Sequence, residues 1–156
     1  MSDLPVPHPT ALSEPFWEAA RQGRLVVPQC QDCGLYMWPP ISMVCSRTQS
    51  DNVEWAEVSG EGTVYSYSVV TRPPTPAFET PYVVAIVELS EGPRMLSSLV
   101  DVAPQDVSIG MAVEVRFRQR GPFALYCFAP LRAGSDQADA LHPDTGADSE
   151  VSKLAG

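Results

Sequence analysis

A chain of 156 residues is long enough for one ordinary domain or two very small ones, and its 44% of hydrophobic residues can fill a core. A formal net charge of −9 works against phosphate backbones and anionic membranes as partners, and no apolar run is long enough to cross a bilayer. Met1-Ser2-Asp3-Leu4-Pro5 carries no charged and apolar leader, so a reducing, cytoplasmic setting is expected, in which four cysteines point to metal or redox chemistry before disulfides.

Residues 1–12, with Pro5, Pro7 and Pro9, read as an extended arm. Ser13-Glu14-Pro15 then has the composition of a helix start: a capping hydroxyl, an acid in the first turn and an early proline. Phe16, Trp17 and Ala20 form an apolar stripe, and Gly23 is a natural stop. So short a helix needs its aromatic face docked, either on its own domain or on a partner subunit. Residues 24–52 read as a ribbon, with short strands at 24–29 and 35–38 around a first turn and Pro39-Pro40 breaking the chain. From Val53 the pattern alternates with period 2, giving strands at 53–59, 63–71, 82–90, 95–100, 112–119 and 123–130. Gly60 and Gly62 interrupt the first pair briefly, as in one long strand bent at a barrel corner. Glu91-Gly92-Pro93-Arg94 and Gly121-Pro122 are turns, and the proline-stiffened loop 72–81 is a candidate lid or docking loop. The class is mainly β: an N-terminal arm and helix over 1–23, a zinc-ribbon-like segment over 24–52 and an OB-type barrel of five or six strands over 53–132. Residues 133–156, rich in Ala, Asp, Ser and Gly, have the composition of a disordered acidic tail.

The ribbon carries the most specific local signal. Cys30-Gln31-Asp32-Cys33-Gly34 has the spacing of one zinc knuckle, two thiolates on a tight turn relieved by glycine. Cys45 arrives where a second knuckle should begin, but Thr48 stands where its second cysteine belongs. Three outcomes are open at this point. Zinc can be held by Cys30, Cys33 and Cys45 with Asp51, Thr48 or water as fourth donor. The metal can be lost, leaving the ribbon to apolar contacts of Leu35, Tyr36 and Trp38. Or Cys30 and Cys33 can act as a thiol-redox pair, although no helix follows this C-x-x-C to lower the first thiol's pKa.

Catalytic machinery is not evident. The histidines are His8 and His142, both in arms where a general base is poorly fixed. Cys127, between Tyr126 and Phe128, reads as a small buried residue. Gly60-x-Gly62 lacks the third glycine and the helix of a dinucleotide fingerprint. Glu54, Glu57, Glu88 and Glu114 sit in strands where a solvated face accounts for them. Arg116, Arg118 and Arg120 alternate with inward residues to form an outer stripe, which suits a solvated edge, a coenzyme A phosphate or an acidic partner surface. Tyr65 and Tyr67, two apart, are expected to share a face.

Phe16-Trp17-Glu18-Ala19-Ala20, Gly23-Arg24-Leu25, Cys30-x-x-Cys33-Gly34, Trp38-Pro39-Pro40, Ser59-Gly60-x-Gly62-Thr63-Val64-Tyr65-Ser66-Tyr67, Pro81-Tyr82, Glu91-Gly92-Pro93-Arg94 and Ile109-Gly110 occur in that order. In this ordered set, over residues 11 to 132, the chain resembles the acyl-CoA-associated family called domain of unknown function 35. The resemblance implies a helix, a rubredoxin-like zinc ribbon and an OB-fold in a non-catalytic subunit. The implied partner is a thiolase-fold enzyme: a ketoacyl-CoA thiolase, an acyltransferase or a steroid-type aldolase. Some members work with hydratases that act on acyl-CoA. By resemblance the helix and ribbon, here Phe16, Trp17 and Trp38, pack on the partner, which supplies the catalytic residues, and the barrel lies near the acyl-CoA path. Two other readings stand beside it: an OB-fold binder of single-stranded nucleic acid, disfavoured by the acidic body, and a thiol-redox protein.

Overall fold

A computed structural model describes residues 4–132. In chain order it contains helix α1 (Glu14–Arg21) and strands β1 (Val26–Cys30), β2 (Val53–Glu57), β3 (Glu61–Val70), β4 (Tyr82–Leu89), β5 (Arg94–Leu99), β6 (Ala112–Arg120) and β7 (Phe123–Pro130). The acidic tail expected over 133–156 lies outside the described residues. No helix among the described residues is long and apolar enough to cross a membrane.

The helix begins and ends much as its sequence predicts. Pro15 sits in the first turn, Glu14 lies at the positive end of the helix dipole, and Phe16, Ala19 and Ala20 face the core. Gly23 adopts φ +72°, a left-handed turn that returns its N–H to the Ala20 carbonyl at 2.9 Å. The predicted Ser13 cap is not made. Its hydroxyl turns back to the arm, accepting from the Thr10 N–H at 2.9 Å, and gives the helix no side-chain cap bond.

Strands β3 to β7 close a barrel in the order β3-β4-β5-β7-β6. Neighbours run antiparallel except β5 and β7, which meet in parallel at Leu99 and Phe128. The first, second, third, fifth, fourth order is that of an OB-fold, and the barrel has five strands. The reason lies in β2. The stretch at 53 was expected to run into the barrel as a bent strand, but β2 ends at Glu57 and pairs antiparallel with β1, from Val26↔Glu57 to Cys30↔Val53. Alternation marks a strand without naming its neighbour. Gly60 and Gly62 then mark the entry to the barrel. A Cβ on Gly60 would fall 2.3 Å from Val115 Cγ1, and one on Gly62 would fall 2.4 Å from the Glu88 carbonyl oxygen. Only glycine allows the strands to cross this closely.

One core fills the barrel and continues beneath the helix. Val64, Val87, Met95, Val113 and Phe128 are fully enclosed, and Phe16, Ala20 and Leu25 join the same cluster. A bulge sets Val64↔Val87 and Ser66↔Ile86 in consecutive register, leaving Tyr65 as the extra residue. Tyr67 pairs with Ala85 on the Val87 side, whereas Tyr65 lies with Arg94 and Glu88 on the other. The expected common face of Tyr65 and Tyr67 is therefore not formed, because the extra residue reverses the alternation.

Candidate functional site

The two knuckles share one backbone. In the first, the Gly34 N–H donates to the Cys30 carbonyl at 2.8 Å and the Cys30 N–H donates to Leu35 at 2.9 Å. In the second, the Gln49 N–H donates to the Cys45 carbonyl at 2.9 Å and the Cys45 N–H donates to Ser50 at 2.8 Å. Thr48 thus occupies the place of Cys33, and Gln49 that of Gly34. Gly34 has φ +70° and Gln49 φ 59°, so a non-glycine residue holds the left-handed conformation that a knuckle requires.

Asp32 ties the knuckles together. Its carboxylate accepts from the Ser50 hydroxyl and from Asn52 Nδ2 at 2.8 Å, and the Gln31 N–H donates to the Asn52 carbonyl at 2.9 Å. These hydrogen bonds, first from Ser50 and then from Asn52, hold the Asp32 carboxyl below its usual range. Sequence reasoning missed this clamp. Its signal was an acid between the first two cysteines and a run of short polar residues after Thr48.

The thiols of Cys30, Cys33 and Cys45 lie within 4.8 Å of one another, with Cys30 and Cys45 buried and Cys33 half-buried. Cys33 Sγ is 3.7 Å from Cys45 Sγ, and Cys30 Sγ is 3.6 Å from Thr48 Oγ1. A tetrahedral zinc ion about 2.3 Å from each sulfur separates two sulfurs by about 3.8 Å, so the cluster fits the metal. The Thr48 hydroxyl beside Cys45 draws its thiol down to about 6, helped by the N–H groups of Thr48 and Arg47 and opposed by burial. At Cys33 the Leu35 N–H acts in the same direction, but burial and the adjacent Cys30 and Cys45 outweigh it and the thiol is raised. The chain after Cys33 goes straight to an isolated bridge between Tyr36 and Gln29, with no helix. All three thiols converge on one point, so Cys33 faces Cys45 as well as the Cys30 of the redox reading.

The aromatic residues marked for a partner divide into two groups. Phe16 is 2% exposed and lies at the centre of a cluster within the chain, with ring centroids 5.1 Å from Trp17, 4.9 Å from Trp38 and 5.5 Å from Tyr126. It joins helix, ribbon and barrel and is almost fully enclosed within the chain. Trp17 also meets Phe123, at 5.7 Å. Trp17 and Trp38 are half-buried and, with His8 and Pro40, border a groove of about 300 Å³.

On β6, Val113 and Phe117 point inward and the arginines outward. Arg116 is paired with Glu114 and Arg118 with Asp101 at 3.7 Å, whereas Arg120 has no ion pair among the described residues. Cys127 is buried, its thiol donates to the Arg116 carbonyl at 3.4 Å, and burial pushes it up to about 11. His8 is exposed on the arm, and His142 lies outside the described residues.

A family profile described as "ChsH2, rubredoxin-like zinc ribbon domain" matches residues 17–54, and one described as "ChsH2, C-terminal OB-fold domain" matches residues 55–118. A DUF35 domain-containing scaffold protein of Pyrococcus furiosus is 37% identical over 109 residues, covering 67% of this chain and 76% of that protein. A probable enoyl-CoA hydratase alpha subunit of Thermomonospora curvata is 45% identical over 108 residues, 69% of this chain and 34% of that protein. The chain thus spans about a third of the length of that relative. Among solved structures, a chain of "Ltp2-ChsH2(DUF35) aldolase" is 40% identical with a TM-score of 0.74, covering 80% of this chain and 98% of that one. With the ribbon and barrel matched in order and a relative similar over most of its length, the chain belongs to the DUF35 family.

Proposed function

We propose that the chain is a non-catalytic accessory subunit that docks on a thiolase-fold enzyme, supports its stability and helps to guide an acyl-CoA substrate toward the partner's catalytic residues. The observation that carries this reading is the likeness to the DUF35 chain of the Ltp2-ChsH2 aldolase across nearly the whole of that chain. The chain's own chemistry agrees with it. Cys127 is an enclosed thiol pushed up to about 11, a poor nucleophile near neutral pH, and the only histidine among the described residues lies on an exposed arm. The docking face we assign is the groove between Trp17 and Trp38, where aromatic edges remain reachable and well anchored. Arg118 and Arg120 are the β6 residues assigned to coenzyme A phosphate. Arg118 must exchange its long contact with Asp101, and Arg120 is already without an ion pair among the described residues.

Co-expression with a thiolase-fold enzyme from the same organism tests the proposal. The expected result is one complex on gel filtration, weakened about tenfold or more by Trp17→Ala with Trp38→Ala. Two separate peaks, with full activity in the enzyme alone, overturn it. A hydratase partner is the second reading, favoured by the similarity to a hydratase alpha subunit. Capture of a hydratase and not of the thiolase selects that reading. Single-stranded nucleic acid is a weaker fit. Arg94 already lies 3.7 Å over the Tyr65 ring, and Tyr67 is on the other side of the strand. An oligonucleotide titration at low salt that showed micromolar, salt-sensitive binding would reverse this judgement.

A further inference from the structure

We infer that the Thr48 hydroxyl is the fourth donor of the cysteine cluster, so that the ribbon takes one zinc ion through three thiolates and one neutral oxygen. The zinc is held more weakly than four thiolates would hold it. The inference concerns the chain alone and stands whether or not the proposed partner is correct.

Backbone geometry is the first support. Cys45 to Ser50 repeats the hydrogen bonding of Cys30 to Leu35 donor for donor, and Gln49 repeats the left-handed turn of Gly34. Replacing the cysteine has therefore not collapsed the second knuckle, and the Thr48 side chain leaves the turn where Cys33 leaves the first. Distance is the second. A tetrahedral ion about 2.3 Å from sulfur and about 2.0–2.2 Å from oxygen separates the two donors by about 3.6 Å. The observed separation of Thr48 Oγ1 from Cys30 Sγ is 3.6 Å, and that of Cys33 Sγ from Cys45 Sγ is 3.7 Å. The third is the absence of a competing carboxylate. Among the described residues the cluster whose ligand atoms converge contains Cys30, Cys33 and Cys45 and not Asp51, so the Asp51 carboxylate does not join it. A neutral hydroxyl in place of a thiolate leaves the zinc complex with a charge of about −1 instead of −2 and removes one strong bond, which lowers affinity without changing geometry.

The test is metal titration of the full chain, purified metal-free under reducing conditions. Cobalt(II) is followed by absorption, and zinc by competition with a chromophoric chelator, for wild type, Thr48→Ser, Thr48→Val and Thr48→Cys. Wild type should take one ion per chain with the visible bands of a tetrahedral site, and Thr48→Ser should keep its spectrum. Thr48→Val, which preserves shape and deletes the oxygen, should shift the bands and weaken zinc about tenfold or more. Thr48→Cys should tighten zinc by about the same factor and raise the sulfur-to-cobalt intensity by about a third, as three thiolates become four. Failure of wild type to bind a stoichiometric ion overturns the inference, as does a Thr48→Val protein that matches wild type in both spectrum and affinity. If Thr48→Val does not fold, Thr48→Cys decides, and unchanged affinity and intensity there overturn it equally.

Discussion

Replacing Phe16 by alanine distinguishes a core residue from an interface residue. Phe16 is 2% exposed in the free chain and contacts Trp17, Trp38 and Tyr126 at once. A buried Phe→Ala change typically costs about 3–5 kcal/mol in lost transfer energy and cavity. Three aromatic pairs, each worth about 0.5–1.5 kcal/mol beyond area, place this site in the upper part of that range. A domain of ordinary stability has about 5–15 kcal/mol to lose, so Phe16→Ala should remain mostly folded but melt about 10–15 °C lower, at roughly 3 °C per kcal/mol for this chain length. Urea unfolding followed by tryptophan emission is the assay, since Trp17 and Trp38 both border the deleted ring and should shift to the red. A loss below about 1 kcal/mol with unchanged emission, coupled to loss of partner binding, would refute the core assignment.

Two further outcomes follow from the barrel. Gly62→Ala should cost about 1–3 kcal/mol or more in chemical denaturation, because its Cβ meets the Glu88 carbonyl at 2.4 Å and backbone cannot move aside as a side chain can; a neutral Gly62→Ala would mean that the β3–β4 crossing is looser than described. Burial raises the Tyr126 phenol to about 12 and the Cys127 thiol to about 11, above their ordinary 10.0 and 9.0. Each contributes stability that is complete below its unfolded value and is lost as pH rises through the folded one. Stability should therefore fall between about pH 9 and 12, by about 2–3 kcal/mol for the phenol, and Tyr126→Phe should flatten the upper part of that fall.

The sequence made some features legible and hid others for identifiable reasons. Hairpin turns, Gly23 and the β4, β6 and β7 spans carry local signals, a turn residue or strict alternation, and the structure places them within a residue or two. Strand partners are not local. Nothing in Val53–Glu57 says that it pairs with Val26–Cys30 in the ribbon rather than with the barrel. The bulge at Tyr65 is likewise silent, since Val64-Tyr65-Ser66-Tyr67 alternates cleanly on paper while one extra residue reverses the faces in the sheet. At the candidate metal site the three cysteines and the substituted position were legible from spacing alone. The position of the Thr48 oxygen was not, because it depends on Gln49 accepting a left-handed turn that composition disfavours. The alternation on β6 places the arginine stripe outward, but the pairing of Arg118 depends on Asp101, which lies outside β6.

What fixes the ribbon to the barrel determines whether metal and partner are coupled. An ion at about a hundred times its Kd adds about 2.7 kcal/mol to the folded state, and a three-thiolate site reaches that ratio only at higher free zinc than a four-thiolate one. The Phe16 cluster contributes about 3–5 kcal/mol at any zinc concentration, and it binds Trp38 of the ribbon directly to Tyr126 of β7. Asp32, through Ser50 and Asn52, joins the two knuckles without using a sulfur. Chelation should therefore loosen the ribbon tip around Cys33 and Cys45 while leaving the barrel, the helix and the Trp17–Trp38 groove in place. Hydrogen exchange should rise around Cys33 and Cys45 and stay low at Trp38 and in β4 to β7, and a complex with the proposed partner enzyme should survive chelator but dissociate in Phe16→Ala. Loss of barrel protection on chelation, or a complex that breaks with metal removal alone, would show that zinc and not the aromatic cluster holds the proposed docking face together.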